Sequence, residues 1–243
     1  YVYDIRGLLV CVIPPEATAR MSVDYIPKHD SLKRKFLNYW AFQYKYDKFR
    51  RQVVKQVPGA DSVLMVYDDR DRLVLTQDGV QRTLSQWSFT KYDALNRPIL
   101  TGVYSPGSTR VAMQSSVNSF YAGQPSWFET FNTNGPMHGY TNNSFPQAPI
   151  ASNYLTANYY DGYNFVVPLV NNGNASITTY NYTSDIAGQY NYDAPNAIKP
   201  FPRVIGQATG GKVNILGSTN YLYSVAYFDQ KGRQVQAITQ NHK

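Results

Sequence analysis

One short pattern recurs six times along this chain of 243 residues: an aromatic residue followed directly by Asp. Asp favours the first position of a type I turn, where its carboxylate accepts the N–H groups of residues just ahead of it. Such a turn ends three positions later in a residue that tolerates a left-handed backbone, above all Gly, Asn or Asp. The pattern therefore predicts β-hairpins whose turns end in a bulge.

The six copies share the aromatic residue and the Asp, and four of them carry Arg four positions after the Asp. The predicted turn residues are Tyr3, Asp4 and Gly7; Tyr46, Asp47 and Arg51; Tyr67, Asp68 and Arg72; Tyr92, Asp93 and Arg97; Tyr160 and Asp161; and Phe228, Asp229, Gly232 and Arg233. At the left-handed position, Asp71, Asn96 and Asn164 suit the prediction and Arg50 alone breaks it. The Asp161 copy lacks the Arg and is the weakest.

The spacing of the copies favours a repeat. Asp68 follows Asp47 by 21 residues and Asp93 follows Asp68 by 25, and periods of about 20 to 50 residues mark stacked repeat architectures. A single hairpin is marginally stable in water, so the hairpins must pair side by side in one sheet. We then expect the aromatic residues to stack as a ladder and each Arg to reach the Asp of its own or a neighbouring turn.

In this pattern the chain resembles the YD repeats of the bacterial Rhs family, which also occur in insecticidal toxin complexes and teneurins. The resemblance is carried by Tyr44-Lys45-Tyr46-Asp47 with Arg51, by Tyr67-Asp68 with Arg72, and by Tyr227-Phe228-Asp229 with Gly232-Arg233. It implies an all-β fold, an antiparallel array of YD-repeat hairpins whose curved or spiralling sheet forms part of a hollow shell. In the toxin systems such a shell encloses a toxic polypeptide.

The resemblance also implies a role and a location. We expect a structural shell segment that encloses or presents another polypeptide, with the rest of the same long polypeptide and an enclosed C-terminal toxin as partners. The expected location is secreted or at a bacterial cell surface, with the export signal outside this chain, because residues 1–12 begin inside a repeat. No stretch matches the self-cleaving core of some Rhs proteins, so we do not expect an enzyme.

Residues 1–243 are predicted to form one YD-repeat region with three parts. Residues 1–104 hold regular repeats with a basic insert near 16–40, residues 105–220 hold embellished hairpins of low charge, and residues 221–243 hold a further repeat. The predicted elements are strands at 42–46, 63–67, 87–92, 163–169 and 178–192, a turn at 210–212, and a short helix from Asp30 or Ser31 through Leu37.

Basic residues are concentrated in one stretch. Residues 28–55 hold nine Lys and Arg against two Asp, an excess equal to the net charge of +7 of the whole chain. Interleaved aromatic residues there would suit nucleic acid. A charged strand face or a guarded sheet edge accounts for the same residues, so we do not expect a nucleic-acid partner. No apolar run approaches the length of about 18 residues that crosses a bilayer.

Candidate catalytic and cofactor residues do not assemble into a site. His29, His138 and His242 lie far apart in sequence, without the spacing of metal ligands. A phosphate loop at 206–212 fails because Val213 stands where Ser or Thr would bind Mg²⁺. We therefore expect neither a catalytic residue nor a cofactor.

One acidic cluster could suggest Ca²⁺ binding. Asp68, Asp69 and Asp71 lie close together, but Arg residues interleave with them and no Gly or Glu completes a known loop. Turn formation is the better account, and no metal site is expected. The single cysteine, Cys11, lies in an apolar run without a basic neighbour and is expected to be a structural thiol.

A hypothesis from another class is a cell-surface carbohydrate-binding or adhesion module. Residues 105–197 are poor in charge and rich in Asn, Ser, Gly and Tyr, and aromatic faces beside amide groups suit sugars. The candidate residues for glycan stacking are Trp127, Tyr140 and Tyr163. Aromatic residues of strands are more often core residues or cross-strand pairs, which is the competing interpretation.

Overall fold

The computed structural model describes residues 1–21, 30–123, 126–147, 153–166, 182 and 201–241. The strands defined there are β1 (Val2–Tyr3), β2 (Leu9–Val12), β3 (Phe42–Tyr46), β4 (Gln52–Gln56), β5 (Val63–Tyr67), β6 (Leu73–Gln77), β7 (Trp87–Tyr92), β8 (Pro98–Tyr104), β9 (Tyr154–Tyr160), β10 (Ala208–Asn214), β11 (Tyr221–Phe228) and β12 (Gln234–Thr239). The helices are α1 (Pro15–Arg20), α2 (Asp30–Trp40), α3 (Gly79–Thr83) and α4 (Arg110–Tyr121). The predicted strand at 178–192 lies outside the described residues, Tyr182 apart.

The strands form one sheet whose order follows the sequence from β1 to β12. Hairpins such as β3–β4 and β5–β6 are antiparallel, and their register shifts at the aromatic residue before the Asp, Tyr46 in one and Tyr67 in the other. The bulge arises because the turn holds one residue more than the partner strand can match. The predicted all-β fold of antiparallel hairpins is confirmed, and the strands at 42–46, 63–67 and 87–92 have the predicted bounds.

The chain divides into two compact units. The first unit comprises Tyr1–Phe89 and Val103–Pro125, and the second comprises Thr90–Gly102 and Ser126–Lys243. In the first unit, buried Val66, Val74 and Leu75 of β5 and β6 lie with Trp87 and Phe89 of β7 in the core. Apart from Leu75, these side chains are β-branched or aromatic, as suits a strand with one buried face.

Two helices of the first unit, α2 and α4, differ from the sequence prediction. The short helix expected through Leu37 extends to Trp40. Helix α4 was not predicted, because residues 105–220 were expected to hold hairpins alone. Its buried residues Met113, Val117 and Tyr121 recur every fourth position, which places them on one face. The same helix is anchored by Gln114, whose side chain accepts the Tyr67 N–H at 3.2 Å and donates to the Tyr67 carbonyl at 2.6 Å.

The second unit is built on β8 to β12, with an aromatic core. Its buried residues include Tyr154, Ala157 and Tyr159 of β9 together with Ile99 and Leu100 of β8. Leu100 pairs with Ala157 across the two strands. Segment 126–147 contributes further buried side chains without forming regular strands. The predicted strand at 163–169 is wrong for its described part, because a bond from the Val166 N–H to the Tyr163 carbonyl makes this stretch a turn.

The predicted turn at 210–212 is also wrong, because these residues lie inside β10. Gly210 is needed there because it lacks a side chain, not because its backbone is left-handed. A Cβ on Gly210 would lie 2.4 Å from Cζ of Phe165 and 2.5 Å from the Ser224 carbonyl oxygen. A sequence pattern of two adjacent glycines does not distinguish a turn from a strand that carries an aromatic ring flat against its backbone.

Candidate functional site

Five of the six aromatic–Asp copies fold into the same turn. In the copies at Asp4, Asp47, Asp68, Asp93 and Asp229, the Asp N–H donates to the carbonyl four residues ahead, and the Asp carbonyl accepts the N–H three residues ahead, at 2.9–3.2 Å. Oδ1 of each Asp also accepts the N–H groups two and four residues ahead, at 2.8–3.0 Å. The carboxylate thus serves the backbone as the sequence predicted.

The fourth residue of each of these turns has a positive φ. Gly7 and Gly232 lie at 75° and 74°, Asp71 and Asn96 at 59° and 61°, and Arg50 at 66°. The expectation that Arg50 would break the pattern is wrong. The hydrogen bonds that close the turn hold its backbone in the left-handed region, which costs a residue other than glycine about 1–2 kcal/mol.

The Arg four residues after the Asp closes the turn with its side chain. Nε donates to Oδ2 of the Asp in the same turn at 2.6–2.7 Å in the four copies that carry Arg51, Arg72, Arg97 and Arg233. The first copy has Leu8 at that place, and Arg6 supplies the guanidinium instead, with Nε 3.1 Å from Asp4 Oδ2. Sequence reasoning missed Arg6, although an Arg inside the one regular copy without the usual Arg was the available signal.

In the first unit the same guanidinium links one hairpin to the next. Nη1 of Arg51 donates to the Asp68 carbonyl at 2.9 Å and to Oδ1 of Asp71 at 3.0 Å. Nη1 of Arg6 donates to the Asp47 carbonyl at 3.2 Å. Each guanidinium therefore contacts its own turn through Nε and the following turn through Nη1.

The Tyr before the Asp makes the reciprocal contact, to the preceding hairpin. Oη of Tyr67 donates to the Gln52 carbonyl and Oη of Tyr46 donates to the Leu9 carbonyl, both at 2.8 Å. Gln52 and Leu9 hold equivalent places, five residues after the Asp of their own turns. The Asp47 hairpin is thus joined by side chains in both directions to the Asp4 hairpin and to the Asp68 hairpin.

The expected stacking of these Tyr rings on one another is replaced by another contact. Equivalent residues of neighbouring hairpins lie two strands apart, about 9–10 Å, whereas paired rings lie ~4.5–7 Å apart. The Arg51 guanidinium instead lies over the Tyr67 ring, 5.0 Å from its centroid. At this pair of turns the Tyr ring therefore packs against a guanidinium rather than against another Tyr ring.

The second unit shows the same arrangement around Arg97. Its Nε donates to Asp93 Oδ2 at 2.6 Å, its Nη1 donates to Asp161 Oδ1 at 2.9 Å, and its Nη2 pairs with Oδ2 of Asp161. The Arg97 guanidinium lies 4.3 Å from the Tyr160 centroid, and Tyr160 Oη donates to the Pro98 carbonyl at 3.2 Å. The hydrogen bond to Asp161 and the pairing with Asp93 raise the pKa of Arg97 above its ordinary value, so it stays charged.

The Asp161 copy itself does not form the predicted turn. Asp161 has a φ of 69°, and Asn164 is not left-handed. The Asp161 N–H donates to the Gln207 carbonyl at 3.1 Å, the place that the Arg carbonyl takes in a regular turn. Gly206, with a φ of 86°, donates its N–H to Asp161 Oδ1 at 2.7 Å. Residues 162–205 are therefore inserted into the turn, and the end of the turn follows them in sequence.

The turns differ in how far their charges are withdrawn from water. Asp68 is 0% exposed and Arg72 is 8% exposed, while the Arg233 side chain is 61% exposed. Burial alone would raise the pKa of Asp47, but hydrogen bonds from Arg51 and the Arg51 charge lower it below its ordinary value. The Asp47 carboxylate therefore remains ionised at neutral pH.

A buried ion pair in the second unit was not predicted. Lys91 and Glu129 are each 1% exposed, with Nζ 2.9 Å from Oε1. Glu129 also accepts the Thr141 hydroxyl, the Asn143 N–H, and both the N–H and hydroxyl of Ser144, at 2.6–2.9 Å. Burial would raise the pKa of Glu129, but the Lys91 charge and these donors lower it, so the carboxylate is ionised. The pair fixes segment 126–147 to strand β7 through residues distant in sequence.

The three candidates for glycan stacking have different environments in the structure. Tyr140 is 4% exposed and lies parallel to Tyr159, with centroids 5.8 Å apart, so its ring packs in the core and is not displayed on the outer surface. Tyr163 lies 4.8 Å from the Tyr227 ring, and its hydroxyl accepts the Phe228 N–H at 3.0 Å. Trp127 is half-buried. The burial of Tyr140 favours the competing interpretation as a core residue.

The described part of the chain holds no group of three or more His, Cys, Asp or Glu side chains arranged to bind a metal ion. His138 lies there with its ring against Tyr221, 4.6 Å between centroids, while His29 and His242 fall outside the described residues. None of the helices in that part has the length and apolar character to span a membrane.

Comparison with known proteins adds a structural likeness. No protein-family model matches the chain, and no curated protein matches it. Among solved structures, the crystal structure of TcdB2-TccC3-TEV is similar, at 13% sequence identity and a TM-score of 0.30, over 99% of this chain. This chain spans about a tenth of the length of that one, since 10% of it is covered.

Proposed function

We propose that this chain is a wall segment of an Rhs-type YD-repeat shell, part of a curved or spiralling sheet that encloses or presents another polypeptide. The supporting observation is the reciprocal linkage of neighbouring hairpins. Arg51 reaches forward to the turn at Asp68, and Tyr67 reaches back to the carbonyl of Gln52, in addition to the backbone pairing of the strands.

Such links suit a wall because they repeat without limit. Because these links run from one hairpin to the next, a further copy of the pattern extends the array with the same contacts. Exposed ion pairs are worth about 0–1 kcal/mol each, so their main effect is to hold register rather than to add stability. A one-residue slip would exchange the two faces of a strand, and both Arg51 and Tyr67 oppose it.

The proposed setting follows from the same resemblance. The partners would be the rest of the same polypeptide and an enclosed toxin, in a secreted or cell-surface protein of bacterial type. The chain would act as a scaffold rather than as an enzyme.

The test is limited proteolysis of the full-length polypeptide that contains this chain, followed by mass spectrometry. We expect a segment outside the repeats that is cut only after denaturation, because the wall excludes the protease. Arg51→Ala should speed its cleavage, whereas Lys48→Ala, which removes a charge of the same turn without breaking a link between hairpins, should leave it unchanged. Cleavage of every segment outside the repeats at the rate of an exposed loop would contradict the proposal.

A further inference from the structure

The inserted residues of the Asp161 copy leave a cavity of about 120 Å³ in the second unit. In a regular turn the chain would close over the Asp. Here residues 162–166 instead lead away from the end of β9, and the Phe165 ring folds back onto Tyr159. The two rings are parallel within 2°, with centroids 4.3 Å apart. Gly210 makes room for Phe165, since any side chain there would meet the ring. The cavity is thus a product of the interrupted repeat.

Aromatic rings form most of its lining: those of Phe131, Tyr140, Tyr159, Tyr160 and Phe165. The Phe131 ring meets Tyr140 and Tyr159 edge-on, at 5.5 and 5.8 Å between centroids. The hydroxyls of two lining residues bond to backbone carbonyls elsewhere, that of Tyr140 to Asn158 at 2.6 Å and that of Tyr159 to His138 at 2.7 Å. With these hydroxyls engaged, Tyr140 and Tyr159 offer the cavity their rings.

The polar part of the lining is Asp161 and Asn164. Asp161 accepts two hydrogen bonds from Arg97 and one from the Gly206 N–H, and a carboxylate has about four lone-pair sites. One site is therefore left for a donor. Because Arg97 neutralises the carboxylate, the cavity does not favour a cation. Asn164 is exposed and brings an amide, with donors and an acceptor, to the rim.

We propose that this cavity binds a single pyranose ring, the terminal sugar of a glycan. A neutral ring with an apolar C–H face and polar edges matches the aromatic lining on one side and Asp161 and Asn164 on the other. The cavity, of about 120 Å³, is bordered by exposed Asn164, so one face of the ring enters it and the outer substituents of the ring stay in solvent. One sugar hydroxyl donates to Asp161, and the glycosidic bond leads out past Asn164. This site does not depend on the shell role and uses residues other than Trp127 and Tyr163.

Saturation-transfer NMR on the full chain tests the site, with the methyl glycosides of glucose, galactose, mannose and N-acetylglucosamine as probes and phenol as the aromatic competitor. We expect transfer to the ring protons of at least one glycoside. Gly162→Leu should abolish it, because a Cβ on Gly162 meets nothing within 4 Å and a larger side chain can fill the cavity without disturbing the fold. Gly123→Leu, at an equally open glycine outside the cavity, is the matched control and should bind as the parent does.

Asn164→Ala should weaken glycoside binding about threefold to tenfold, the effect of one lost hydrogen bond. An oligosaccharide that ends in the preferred sugar should show transfer confined to its terminal ring, which distinguishes a chain end from a free monosaccharide. Absence of transfer to every glycoside, binding of phenol alone, or undiminished binding by Gly162→Leu would overturn the proposal.

Discussion

The Asp68 turn of the first unit and the Asp161 copy of the second start from the same Tyr-Asp pair and end in different structures. Asp68 finds its partners within four residues, and its turn closes at once. Asp161 finds Arg97 from 64 residues away and Gly206 from 45 residues away. The comparison teaches that one dipeptide serves two purposes, a local turn where its own chain supplies the donors and a long-range anchor where other segments do.

The largest expected effect is on the anchors of the second unit. Lys91→Met leaves the Glu129 carboxylate buried without its counter-charge, and we expect a loss of about 3–5 kcal/mol in the free energy of unfolding. Thermal and denaturant unfolding measure it.

The matched control is Lys212→Met. Burial lowers the pKa of Lys212 to about 8, and its ammonium lies over the rings of Tyr159 and Tyr223. Removing that charge should change stability by less than about 1 kcal/mol, because relief of the cost of burying the ammonium offsets the loss of its contacts with the two rings. Equal losses for the two variants would show that the Glu129 pair is not a special anchor.

The next largest loss of stability is expected from substitution of the Asp in a local turn. Asp68→Asn keeps an oxygen for the backbone N–H groups but removes the charge opposite buried Arg72, so we expect a loss of about 1.5–3 kcal/mol, the worth of a hydrogen bond to a charged group. Asp229→Asn, in a turn whose Arg233 is mostly exposed, should lose less. Urea unfolding of both variants decides it, and a larger loss at Asp229 would contradict the role assigned to burial.

Lowering the pH should destabilise the turns of the first unit and the anchors of the second unit together. The folded-state pKa values of Asp47, Asp161 and Glu129 are lowered, so each carboxylate contributes stability that is fully present above its unfolded pKa, near 4, and is lost as pH falls through the lower folded pKa. The melting temperature should therefore stay level from neutral pH down to about 5 and fall below about 4. A melting temperature that rises on acidification would contradict these shifts.

The smallest expected change in stability is at Arg50, the left-handed residue of the Asp47 turn. Arg50→Gly removes a left-handed residue that is not glycine, and the gain is offset by the greater freedom of glycine in the unfolded chain, so we expect stabilisation of about 0.5–1 kcal/mol. Lys48→Gly, at a position of the same turn without a positive φ, should be neutral or destabilising. Stabilisation by both variants would mean that the turn is not strained at Arg50.

How much of the structure could be predicted from the sequence depends on how far apart in sequence the contacting residues lie. The strands at 42–46, 63–67 and 87–92 were predictable because each ends in a turn closed by its own Asp. Arg50 shows the limit of residue preference, since the hydrogen bonds of the turn override it. Helix α4 and the strand through Gly210 were mistaken because low-charge segments rich in Asn, Ser and Gly suit several local structures, and their partners choose among them.

The sequence by itself determined the hairpins, since an Asp and the N–H groups it accepts lie within four residues and need no other part of the chain. Only the tertiary structure decided that Glu129 is buried against Lys91, that Tyr140 is a core residue, and that the Asp161 copy opens around a cavity lined by rings. Those outcomes depend on contacts between segments far apart in sequence, where burial and charge pairing, rather than local backbone preference, set the energy.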